Sequence, residues 1–153
     1  MRRCYMLFVK EKKFQYSNFL FFIILLSLTG IVQSSVSQQD IPPKLYIISP
    51  TDGSTVKNPI KIIFGLSGMG VAPAGVEMAN TGHHHLLIDL DILPDKNLPI
   101  PSDERHRHFG AGQTETSVNL TPGTHTLQLM LGDHYHMQFK KSVVSKKIII
   151  NVE

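Results

Sequence analysis

Apolar runs of five to eight residues, closed again and again by glycine, proline, asparagine or aspartate, are the feature that most limits what this chain can fold into. KLYIISP ends at Pro50, TDGSTVKNP places turns at Asp52/Gly53 and at Asn58/Pro59, and LTPGTH turns at Pro122/Gly123. No stretch of 11 residues carries the 3.6-residue apolar period of a helix. Runs of this length, rich in β-branched residues and bounded by turn formers, read as strands. They are expected at Leu45 to Ile48, Ile60 to Leu66, His84 to Asp91, Thr116 to Leu120, His125 to Leu131 and Ser145 to Val152. Short strands with turns at this spacing predict an all-β chain, an antiparallel β-sandwich of immunoglobulin-like or cupredoxin-like form.

Alternation within the strands assigns their faces. Leu127, Leu129 and Leu131 should point to the core, with Thr126 and Gln128 outside. Leu86, Ile88 and Leu90 should do the same, which turns His83, His85, Asp89 and Asp91 to a solvated face and leaves Leu87 as an exception. His84 then falls among the core residues, and His83, just after Gly82, could simply cap the strand. His125 follows a Pro-Gly turn at the start of the penultimate strand. In sandwiches of this type a tyrosine often stands there and bonds the backbone, so His125 is expected to be a structural corner rather than a ligand.

The first residues belong to a different chemistry. Arg2, Arg3, Lys10, Lys12 and Lys13 precede the apolar run Phe19 to Val32, and small residues follow at Ser34, Ser35 and Ser37. This is the layout of a secretory leader over residues 1–37, with cleavage expected near Ser34 to Ser37 and an uncleaved anchor as the alternative. The run is shorter than the ~20 residues that span a bilayer comfortably. Residues 38–44 read as a linker and 45–153 as one domain. An exported protein, periplasmic or secreted, is the expectation, in contact with a membrane only through an uncleaved leader.

Without the leader, 10 Lys and Arg face 11 Asp and Glu, so the basic character of the whole chain belongs to the leader. No basic patch with interleaved aromatics remains, which argues against nucleic acid as a partner. The single cysteine, Cys4, also lies in the leader, so the domain must stand on its apolar core without a disulfide.

All eight histidines fall between His83 and His136. Six of them form H-x-H pairs: His83/His85, His106/His108 and His134/His136. On a strand, residues i and i+2 share a face, so each pair can offer two imidazoles to one side. Imidazole suits zinc, copper and nickel. These six residues, with Glu115 as a carboxylate ligand or a partner that fixes a histidine tautomer, are the candidate metal ligands. His85, His108 and His136 are the three expected to meet at one rim. The ion would be copper or zinc, and Met137, Met69 and Met78 tilt the choice toward copper, since thioethers suit Cu(I). No protein partner is legible.

Two other chemistries find less support. HFGAGQTE has the glycines of a phosphate loop but runs into a strand rather than a helix, so the glycines are expected to serve a tight turn with positive φ. Asp133, after Gly132, should end a strand in a turn. A hydrolytic triad lacks its nucleophile, with no G-x-S-x-G and no cysteine after the leader. The strand H-x-H of cupins lacks the glutamate expected after it, since His85 is followed by LLIDLD. An enzyme is therefore the third reading, behind a metal-binding module and behind a structural or partner-binding domain without metal.

Gly82 to Asp89 (GHHHLLID), His108 to Glu115 (HFGAGQTE) and Leu120 to Asp133 (LTPGTHTLQLMLGD) resemble the signatures of the bacterial proteins grouped as domain of unknown function family 4399. The resemblance runs from about Tyr46 to Val152 and includes ISPTDGSTV and FGLSGMGVAPAG. It implies a small secreted protein and implies no activity. QFKKSVVSKK, after His136, departs from the more proline-rich pattern expected there.

Overall fold

A computed structural model describes residues 42–153. The expected leader, its cleavage site and the first part of the linker lie outside the described residues. Among those described there are nine strands and no helix: β1 (Lys44–Ser49), β2 (Thr55–Val56), β3 (Ile60–Ser67), β4 (Gly70–Val71), β5 (Thr81–Ile88), β6 (His106–Phe109), β7 (Glu115–Val118), β8 (Gly123–Gly132) and β9 (Ile148–Val152). One sheet has the order β1-β3-β7, and the other runs β2-β9-β8-β5-β4 with β6 also paired to β5. Strands β1, β3 and β7 thus stand where A, B and E stand in an immunoglobulin-type sandwich, and β9, β8 and β5 where G, F and C stand.

The inner faces supply the core. Ile60, Ile62 and Phe64 from β3 pack with Leu86 and Ile88 from β5, Leu127, Leu129 and Leu131 from β8, and Ile148, Ile150 and Val152 from β9. The period-two reading of β8 therefore holds: its three leucines are fully buried, each contributing about 1.5–3 kcal/mol by leaving water.

The structure departs from the sequence reading in four places. The sandwich is antiparallel except where β2 joins β9 and β4 joins β5, both in parallel. These two-residue strands and β6 are too short to carry a periodicity. The strand expected at His84 to Asp91 is shifted to Thr81–Ile88, because Asp89 turns to φ 53 and uses its carboxylate on neighbouring backbone. The strand expected from Ser145 begins only at Ile148. Buried Ser145 instead takes the Leu129 amide on its hydroxyl and donates to the Lys146 carbonyl.

The fourth departure bears on the site. β5 has no solvated face. Its whole length from Gly82 to Ile88 is buried, because β6 pairs along it and Leu87 packs in a second small core with Ile100 and Met130, flanked by Leu90 and Val144. The segments between β5 and β6 and between β8 and β9 cover the face that alternation assigned to water.

Candidate metal centre

Four imidazoles meet beside that second core. His83 and His85 rise from the same face of β5, with ring centroids 4.9 Å apart and Nε2 atoms 3.1 Å apart. β6 places His108 opposite His85 in the antiparallel register, at 5.1 Å between centroids. His136 arrives from the turn after β8, 4.8 Å from the His108 ring, 4.9 Å from His83 and 6.1 Å from His85, with its Nε2 3.2 Å from that of His108. Ligand atoms of His83, His85 and His108 all lie within 4.8 Å of one another, so this triad could hold a metal ion. An ion bound at about 2.0–2.1 Å keeps tetrahedral nitrogens about 3.3 Å apart; the His83–His85 separation of 3.1 Å is near this, the triad as a whole is bounded at 4.8 Å, and His136 stands outside it.

The surroundings favour the neutral form of His83, His85 and His108. His83 and His85 have no exposed surface, and burial is the main reason that their pKa values fall to about 4 and about 3. Repulsion from the other imidazoles adds to this, while the Asp133 carboxylate opposes it at His83. Burial, then His136, lowers His108 as well. Unprotonated nitrogens are what a cation requires. The Nδ1 atoms of His83 and His85 have no protein partner, so their tautomers are set by what their Nε2 atoms engage.

Two glycines make room for the rings. A Cβ on Gly110 would lie 2.3 Å from His108 Cε1 and 2.6 Å from its Nε2, and one on Gly132 would lie 3.0 Å from His85 Nε2. The expected positive φ in GAG belongs to Gly112, at 80°, and not to Gly110. Sequence reading missed this use of Gly110, although a glycine two residues after a candidate ligand is the visible signal. His136 itself takes a left-handed backbone, φ 66, which costs a non-glycine residue roughly 1–2 kcal/mol.

Other sequence-nominated ligands are not brought into the cluster. His106 sits on β6 beside His108 but gives its Nδ1 to Asp103, at 2.8 and 3.0 Å from the two carboxylate oxygens. His134 lies against Tyr135 with centroids 4.0 Å apart. The turn carrying His134 and His136 is not a strand, so the shared-face rule that joined them does not apply. Glu115 belongs to the opposite sheet, where it meets Lys61 at 3.1 Å with both side chains more than half exposed. Among the methionines, Met69 packs against the main core, Met78 is exposed, and Met137 donates its amide to Asp133 in the turn that carries His136.

The remaining histidines have structural places. His84 is buried in the main core against Phe64, at 5.1 Å between ring centroids, with no close hydrogen bond to either ring nitrogen; burial lowers its pKa and the Gln113 backbone offsets part of that, so it is a core residue only weakly satisfied. His125 donates from Nε2 to the Thr121 carbonyl at 2.9 Å and from Nδ1 to the Asp89 carboxylate at 2.7 Å. Both partners accept, so the protonated ring, with hydrogen on both nitrogens, satisfies both bonds. The Asp89 bond raises its pKa accordingly. His125 is the corner residue expected, with a carboxylate added to the backbone bond.

These features define an all-β sandwich with a half-buried imidazole cluster drawn from β5, β6 and the turn after β8. The chain belongs to the family described as domain of unknown function DUF4399, whose model matches residues 62–153. No curated protein matches it. The X-ray structure of the endo-beta-1,4-mannanase from Thermotoga petrophila is similar over 77% of this chain at 16% identity and a TM-score of 0.45. The chain spans 21% of that protein, and a likeness of this size carries no argument about function.

Proposed function

We propose that this protein is an exported module that binds one divalent transition metal ion, zinc or copper, through the Nε2 atoms of His83, His85, His108 and His136. The observation that carries the reading is the convergence of four imidazoles from β5, β6 and the turn after β8. Four imidazole donors without a thiolate suit zinc and Cu(II) better than Cu(I). Bound together, the four would fill a tetrahedral shell and leave no position for a substrate, which favours holding an ion over metal-assisted catalysis. Export rests on the basic and apolar layout of residues 1–37. Among the described residues no helix is long and apolar enough to cross a membrane.

A structural domain whose histidines only bond one another is the competing reading, since 3.1 and 3.2 Å also suit an N–H···N bond. Metal content separates the two. Protein recovered from the periplasm without a metal-affinity column should carry close to one equivalent of zinc or copper. Protein that is metal-free and takes up no ion on addition would overturn the proposal. Recovery of a full-length chain in the membrane fraction would overturn cleavage and soluble export.

A further inference from the structure

The site as proposed takes three ligands from strands and the fourth, His136, from a turn. Strand ligands are held by ladder hydrogen bonds. His136 has none of these, and its left-handed backbone needs another constraint. Asp133 supplies it. Its Oδ1 accepts from the amides of Tyr135 at 2.8 Å and Met137 at 2.9 Å, the two residues that flank His136. Its carbonyl accepts from the His136 amide at 2.9 Å, and its own amide donates to the Met137 carbonyl at 2.9 Å. The Ile100 amide then fixes the His136 carbonyl at 2.8 Å.

We infer that Asp133 is the positioning residue for the fourth ligand: its carboxylate folds the turn Asp133 to Met137 so that His136 closes over the other three imidazoles. This rests on the metal reading above. The role is geometric, since one carboxylate oxygen takes both amides, and an asparagine would present the same acceptor without the charge.

The test measures zinc(II) affinity on the full chain by competition with a chromophoric chelator. Asp133→Ala should weaken binding about tenfold, and His136→Ala by at least as much. The double variant should lose no more than about threefold beyond His136→Ala, because Asp133 positions that ring and only its charge, which Asp133→Asn removes by itself, also reaches His83. Asp133→Asn should stay within about threefold of wild type. With cobalt(II), Asp133→Ala and His136→Ala should share one altered visible spectrum that Asp133→Asn does not show. An Asp133→Ala variant that binds like wild type, losses that add in the double variant, or an Asp133→Asn variant as weak as Asp133→Ala would each overturn the assignment.

A second readout needs no metal. In zinc-free protein the His108–His136 ring contact, seen as a nuclear Overhauser effect, should survive Asp133→Asn and vanish in Asp133→Ala. Should the alanine variant not fold, Asp133→Ser, whose shorter side chain can serve one amide at most, takes its place with the same expectations. A wild-type chain that bound no zinc would remove the metal reading, while the ring contact would still decide the role of Asp133.

Discussion

Adding one methyl group at residue 110 should disable the site while leaving the sandwich standing. The Gly110 backbone is not left-handed, so alanine is sterically acceptable there apart from what its Cβ meets. It meets the His108 ring at 2.3 and 2.6 Å and the Ala74 methyl at 3.2 Å. Ordinary carbon contacts lie at about 3.5–4.0 Å, so the ring must move by roughly 1 Å or more. Metal–ligand distances tolerate about 0.2 Å, so His108 is lost as a ligand. The ring is part-buried at the mouth of the cluster and can swing outward, which keeps the cost to the fold small. Zinc affinity should fall about 10- to 100-fold, or about 1.4–2.8 kcal/mol, in a chelator competition. The zinc-free melting temperature should move little. Gly112→Ala is the control: at φ 80 it should cost about 1 kcal/mol of stability and leave zinc affinity unchanged. A Gly110→Ala chain that binds zinc as wild type does would refute the close-approach argument.

Single replacement of His83, His85, His108 or His136 by alanine should cut metal affinity tenfold or more in the same titration, whereas His106→Ala and His134→Ala should change it less than threefold. His84→Leu should raise stability in urea unfolding by about 1 kcal/mol, because it replaces a weakly satisfied polar ring in the core with an apolar side chain. His125→Ala should lower stability by about 1–3 kcal/mol with little change in metal bound per folded chain. The pKa of His125 is raised on folding, so its contribution is full below about pH 6.5, the unfolded value, and is lost as pH rises through the folded value; the gap between wild type and His125→Ala in urea unfolding should narrow accordingly. His83 and His85 run the other way. Their folded pKa values lie at about 4 and about 3, so zinc-free protein should lose stability as pH falls from about 6.5 toward them, seen as a falling melting temperature.

The sandwich was legible because β8 and β9 obey a period of two over enough residues to fix their faces: Leu127, Leu129 and Leu131 could be assigned inward from spacing alone. β5 defeated the same rule. Its outer face is covered by Ile100 and Val144, which lie 12 or more positions beyond it in sequence, and no local pattern announces that cover. The H-x-H argument succeeded at His83/His85, where the backbone is a strand. It failed at His134/His136, where φ 66 at His136 and the Asp133 turn set the direction of the rings. At His106/His108 the backbone is extended, but Asp103 three residues earlier takes the first imidazole for itself. Glu115 was nominated by proximity along the chain to HFGAG, yet the chain crosses to the other sheet between them. Local spacing could nominate imidazoles; only the pairing of β5 with β6 and the turn after β8 brought four of them together.

Long-range proton–nitrogen correlation spectra of the imidazoles, recorded on metal-free protein and after one equivalent of zinc(II), test the central claim most directly. The Nε2 resonances of His83, His85, His108 and His136 should move together and saturate at one ion per chain, while those of His84, His106, His125 and His134 keep their metal-free positions. Spectra unchanged by zinc, or shifts confined to His106 and His134, would contradict the four-imidazole site.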